Sequence, residues 1–136
     1  MYLVDTSVWV DFLRGSDTPQ VETLRRLLEG EDIVGIAPII LQEVLQGADS
    51  DARFEKWRKY FEGLCCYAPA DPPASHIAAA RLYQACRRAG KTPRSSNDCL
   101  IARIAMEHGL ALLQNDRDFT IIAAAAPALK LYPARE

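Results

Sequence analysis

Tyr2-Leu3-Val4-Asp5-Thr6-Ser7-Val8-Trp9 sets the reading of the whole 136-residue chain. Tyr2–Asp5 is a short apolar run ending on an acid, the form of a buried strand. Thr6 or Ser7 then offers a hydroxyl to cap a helix running to about Arg14, where Gly15 stops it. A strand that passes straight into a helix is the first half of a β-α-β unit, and the alternation recurs down the chain.

Ser16–Pro19 form a loop, and Val21, Leu24, Leu27 and Leu28 recur at helical spacing before Gly30. Ile33–Ala37 is an apolar, β-branched strand. Pro38 fits the first turn of a helix carrying Ile39, Ile40, Leu41, Val44 and Leu45, closed by Gly47. Phe54, Trp57 and Phe61 lie on one face of a fourth helix, where core packing is the default use. Leu64–Ala68 reads as another short strand, and Pro72–Ala89 as a long Ala-rich helix whose basic end complements its dipole. After Gly90-Lys91-Thr92-Pro93, Ser96 or Asn97 caps a helix ending near His108-Gly109. Ala111–Leu113 is a strand, Asp118–Ala126 a helix and Leu129–Tyr132 a last strand. The pattern predicts one domain over residues 1–136, a three-layer α/β/α fold with a mainly parallel central sheet.

The composition is that of a globular protein, 49% hydrophobic and 25% charged, with no low-complexity tract. The opening residues lack a basic n-region and a cleavage site, and no apolar run reaches the roughly 18 residues of a membrane helix. A cytoplasmic protein is expected. Cys65, Cys66, Cys86 and Cys99 show no CxxC or Cys/His spacing, so buried reduced thiols are expected rather than zinc. Net charge is −2, which does not advertise a nucleic-acid binder. Yet Arg81, Arg87, Arg88, Lys91, Arg94 and Arg103 face a single acid, Asp98, between positions 81 and 103. That local excess is either a solvated helix face or a surface for an anionic ligand.

In open α/β sheets, sites form outside the carboxyl ends of the strands. Asp5 ends the first strand, and Asp116 follows directly after Ala111–Leu113. Asp98 lies in the first turn of its helix, where the dipole favours an anion. Glu43 sits within a mostly apolar helix. Taken singly, each has an ordinary use as a cap, a turn former or a paired helix residue, and Asp11 reads as a helix-surface acid. Brought together, they would repel: two like charges about 4 Å apart cost roughly 4 kcal/mol at an effective dielectric near 20. Only protons or a cation would offset several of them. Oxygen donors without His or Cys select a hard ion, Mg²⁺ or Mn²⁺, and such an ion suits hydrolysis of a phosphodiester.

These motifs, in this order and in a chain of this size, resemble the PIN-domain nucleases, most closely the VapC-type toxins of bacterial toxin–antitoxin pairs. The resemblance is carried by Leu3-Val4-Asp5-Thr6-Ser7, Glu43 within Ile39–Gly47, Asn97-Asp98-Cys99-Leu100-Ile101-Ala102 and Asn115-Asp116-Arg117-Asp118-Phe119. It implies Asp5, Glu43, Asp98 and Asp116 as the catalytic acids. Metal binding falls to Asp5, Asp98 and Asp116, with Asp118 a further acid acting through water, and Ser7 orders the first Asp. It also implies Mg²⁺- or Mn²⁺-dependent endoribonuclease activity on a structured RNA such as tRNA or rRNA, dimerisation, and inhibition by a cognate VapB-type antitoxin. In-line attack of an activated water would leave a 5′-phosphate and a 3′-hydroxyl. Arg87, Arg88, Lys91 and Arg94 are the candidate contacts to the RNA backbone, and an antitoxin helix is a second possible use of the Phe54, Trp57 and Phe61 face. His76 and His108 are expected to be structural or exposed.

Two rivals share some of these features. An Mg²⁺-dependent aspartyl-phosphate enzyme also places Asp at the end of strand one, but commonly wants a second Asp two residues on, where this chain has Ser7. A catalytically idle interaction module would have no need of the intact acids.

Overall fold

The computed structural model describes residues 1–133, so the last three positions of the expected 1–136 domain lie outside the described residues. Its strands are β1 (Tyr2–Val4), β2 (Val34–Ile36), β3 (Cys65–Cys66), β4 (Ala111–Leu113) and β5 (Lys130–Tyr132). They lie in the order β3-β2-β1-β4-β5, and every pairing is parallel. Tyr2 pairs with Val34 on one side of β1 and with Ala111 on the other. All carboxyl ends therefore point the same way. The chain first winds outward through β2 to β3, then returns to the other side of β1 for β4 and β5. The order reverses at β1, the switch point where such sheets form a crevice.

Central strands covered on both faces must be apolar throughout. Leu3, Val4, Leu112 and Leu113 are accordingly fully buried. The flanking helices are α1 (Thr6–Leu13), α2 (Pro19–Glu29), α3 (Pro38–Leu45), α4 (Asp51–Glu62), α5 (Pro72–Arg88), α6 (Asn97–Glu107) and α7 (Arg117–Ala125). Pro38 occupies the first turn of α3, where its missing N–H is no loss. Thr18 caps α2, Ser50 caps α4 and Asp71 caps α5, each accepting a backbone N–H. Among the described residues no helix is long and apolar enough to cross a membrane.

Several expectations are corrected. The cap of α1 is neither Thr6 nor Ser7: Asp5 itself is the N-cap, in an extended conformation, accepting the Ser7 N–H. Asp116 does the same for α7, which therefore begins at Arg117 rather than Asp118. Ser96 precedes α6 but makes no side-chain cap bond, because it already has helical dihedrals. The strand expected over Leu64–Ala68 shortens to Cys65–Cys66 at the sheet's edge, and both thiols are exposed, since an edge strand has a neighbour on one flank only. Cys86 and Cys99 are buried, and burial pushes the Cys99 thiol up to about 12, which keeps it protonated and inert.

The expected apolar face of α4 is divided. Phe61 is buried and stands edge-on to Trp9 at a ring separation of 5.0 Å, Trp57 is half-buried, and Phe54 is exposed. Trp9 is the largest fully buried side chain and also meets Tyr60 at 6.2 Å, so α1 is pinned to α4 through aromatic edges. In β2, Gly35 lies under the Tyr67 ring: a Cβ there would come within 2.2 Å of Tyr67 Cε2. His108 accepts its expected structural role, with Nε2 2.7 Å from the Ala68 carbonyl oxygen and its ring against Tyr67, while His76 is exposed.

Candidate active site

The end of β1 turns into α1 through Asp5, and that turn fixes the first acid. Asp5 is only 5% exposed. Its Oδ2 accepts the Ser7 hydroxyl at 2.8 Å and the Ser7 N–H at 3.4 Å. Burial raises the Asp5 carboxyl above its usual range, while the Ser7 and backbone hydrogen bonds pull it back. Next to it, Thr6 Oγ1 donates to Glu43 Oε1 at 2.8 Å, tying the acid of α3 to the start of α1. That bond explains how a carboxylate is accommodated on so apolar a helix.

From the other side of the crevice, β4 delivers Gln114 and Asp116. Gln114 is buried, and its Oε1 accepts the Asp116 N–H at 2.8 Å. Asp116 Oδ1 in turn accepts the Asp118 N–H at 2.9 Å. Asp118 is 3% exposed. Hydrogen bonds from the Arg94 backbone and side chain hold its carboxyl below the usual carboxylate range. Asp98, in the first turn of α6, completes the group. Its carboxyl is pushed up to about 7, first by burial and then by the negative charges of Asp5, Asp116, Asp118 and Glu43.

One pocket of about 450 Å³ is lined by Asp5, Thr6, Ser7, Glu43, Arg94, Ser95, Asp98, Asp116 and Asp118. The structure thus brings together Asp5, Glu43, Asp98, Asp116 and Asp118, while Asp11, expected on a helix surface, does not line the pocket. Oxygen atoms of Asp98, Asp116 and Asp118 all lie within 4.8 Å of one another. Asp5 and Glu43 line the same pocket outside that trio. Arg87, Arg88 and Lys91 are exposed and do not line it. Arg94 does, bonding Asp118 through Nε and Asp116 through Nη2. Thr6, expected only as a helix cap, and Gln114 are supports not expected from the sequence. Thr6 stands inside Asp5-Thr6-Ser7, a signal that could have found it, whereas nothing at position 114 marks its side chain as a support.

Such a donor set suits a hard divalent cation. It offers only oxygen, it carries excess negative charge, and Asp98 holds its proton close to neutrality in the absence of a positive ion. A dication would offset the part of the Asp98 rise that comes from neighbouring charge, the cause second to burial.

Known proteins are similar to this chain over most of its length. The family model described as PIN domain matches residues 2–125. Ribonuclease VapC11 of Mycobacterium tuberculosis is 39% identical over 124 residues, covering 90% of this chain and 92% of that protein. Among solved structures, VapBC2 from Rickettsia felis, bound to a DNA fragment from its promoter, aligns with a TM-score of 0.73 at 20% identity, covering 96% of each chain. FitAcB from Neisseria gonorrhoeae aligns with a TM-score of 0.67 at 20% identity, covering 98% of each. The two structures share the fold.

Proposed function

The chain belongs to the PIN-domain family, among relatives of the VapC ribonuclease type, and on that footing we propose that it is a metal-dependent endoribonuclease toxin cutting structured RNA such as tRNA or rRNA. The observation that carries the reading is the convergence of Asp98, Asp116 and Asp118 within 4.8 Å, beside buried Asp5. Asp98, Asp116 and Asp118 would hold Mg²⁺ or Mn²⁺, with Asp5 a ligand directly or through water. Bound there, the ion would lower the pKa of a water and neutralise charge on a phosphoryl oxygen.

The remaining steps belong to the chain's own groups. Ser7 orders the Asp5 carboxylate by donating its hydroxyl to Oδ2. Thr6 does the same for Glu43, which completes the acidic wall. Asp98, whose carboxyl is pushed up to about 7 chiefly by burial, would offer its ionised form to a bound cation. Arg87, Arg88 and Lys91, exposed at the end of α5 and in the turn beyond it, take RNA phosphates and bring the backbone toward the acids. Cleavage leaves a 5′-phosphate and a 3′-hydroxyl.

The unit of activity is the 1–136 domain, working in the cytoplasm as a homodimer. Its partner is a VapB-type antitoxin, by analogy with the VapBC2 complex to which the fold aligns. The test is cleavage of a structured RNA in EDTA and after adding Mn²⁺, for wild type, Asp5→Asn and Asp98→Asn. Activity should appear only with Mn²⁺ and fall by roughly a hundredfold or more in each variant. Near-wild-type cleavage by both variants, or cleavage in EDTA, would remove the metal mechanism.

A further inference from the structure

The acid set has a cation of its own. Arg94 stands in the turn between α5 and α6, held by buried Pro93 and by its backbone N–H, which donates to Asp118 Oδ2 at 3.0 Å. Its guanidinium adds Nε to the same Asp118 oxygen at 3.2 Å, and Nη2 to the two Asp116 oxygens at 3.1 and 3.2 Å. Asp116 and Asp118 are also two members of the close carboxylate trio. The groups that an arginine now neutralises are therefore the groups a divalent ion would need. Two positive charges sharing them would repel at short range in a partly buried pocket.

Three observations identify Arg94 as the partner that moves. Its side chain is 76% exposed, against 26% for Asp116 and 4% for Asp118, so it can leave into solvent while the acids stay. The backbone bond to Asp118 is independent of the guanidinium, so the turn keeps its place when the side chain swings away. The main chain under the acids is also tied independently of Arg94, the Asp116 N–H to Gln114 Oε1 and the Asp118 N–H to Asp116 Oδ1.

We propose that Arg94 is a resident counter-cation that closes the acid pair Asp116–Asp118 until a divalent ion displaces it, the freed guanidinium then turning to the RNA phosphate. Loading the site and arming its phosphate contact become one event. The chain is self-closed at low metal concentration and opens above a threshold that Arg94 sets. This rests on the metal-dependent reading above.

Calorimetric titration of Mn²⁺ into RNA-free protein tests it, comparing wild type, Arg94→Gln, Arg94→Lys and Asp98→Asn. Removing the competitor should tighten Mn²⁺ binding roughly fivefold in Arg94→Gln, with Arg94→Lys in between. A second readout follows the Nε–H resonance of Arg94, assigned by its absence from Arg94→Gln, during a Mg²⁺ titration of wild type. The resonance should lose its protection from solvent exchange as Mg²⁺ saturates. Equal or weaker Mn²⁺ binding by Arg94→Gln, or an Nε–H signal that keeps its protection at saturation, overturns the proposal. If Asp98→Asn abolishes Mn²⁺ binding while Arg94→Gln leaves it unchanged, the displacement idea alone fails. If Mn²⁺ binds neither wild type nor Arg94→Gln, the metal reading and this proposal fall together.

Discussion

Gly35 has no side chain because the ring of Tyr67 lies where one would start: a Cβ would meet Cε2 at 2.2 Å and Cδ2 at 2.4 Å. Those atoms belong to a stiff ring wedged between β2 and His108, so they cannot yield as a long flexible chain would. Gly35→Ala should lower stability by about 1–3 kcal/mol, the usual effect of overpacking, measured by denaturant unfolding. In a Tyr67→Ala background, Gly35→Ala should lose most of that effect, with only the 3.1 Å approach to the Cys65 carbonyl oxygen left. Additive losses would show that the ring is not the obstacle. Single residues also show where sequence reasoning stops. The acids could be picked out because each falls at a strand end or within a recognisable motif. That Arg94 sits on Asp116 and Asp118 could not, because its direction depends on a turn whose dihedrals no local pattern specifies.

Strands and helices followed from period and punctuation, and their order in the chain matches the expected alternation. The errors were at their ends. Thr6 and Ser7 compete with Asp5 for the cap of α1 because all three are cap formers in a row, and α7 starts one residue before the expected Asp118. Asp5 and Asp116 each do two jobs: an extended residue at the tip of a parallel strand can accept the next helix's N–H with one oxygen and face the crevice with the carboxyl group. β3 lies within the expected Leu64–Ala68 but is shorter, since at the sheet's edge only Cys65 and Cys66 pair with β2. The basic end of α5 is the element that remains open to test. Arg87, Arg88 and Lys91 are exposed and outside the pocket. Replacing all three with Ala should weaken RNA binding at low salt and reduce the slope of log affinity against log salt by roughly 0.7 per lost phosphate contact. An unchanged slope would return these residues to an ordinary solvated helix end.

Five carboxylates around one pocket govern how the molecule responds to pH. Burial and neighbouring acids push Asp98 up to about 7 from 3.8, and burial raises Asp5 as well. A carboxyl whose folded pKa lies above its unfolded one binds its proton more tightly in the native state. Its contribution to stability is complete below the unfolded value and is lost as pH rises through the folded one. The metal-free protein should therefore melt at a lower temperature at pH 8 than at pH 5.5. Asp118, lowered by Arg94, acts in the opposite sense but only in the acid range beneath that window. Millimolar Mg²⁺ should raise the melting temperature more at pH 8, where the acids are ionised, than at pH 5.5. Melting temperatures equal at both pH values and indifferent to Mg²⁺ would contradict the account. The sheet order carries one more implication. Because β4 lies against β1, Asp5 finds Asp116 only after more than a hundred intervening positions have been made. A chain that stopped short of β4 would carry Asp5, Glu43 and Asp98 but lack Asp116 and Asp118, so the pocket is complete only once nearly the whole chain has been made.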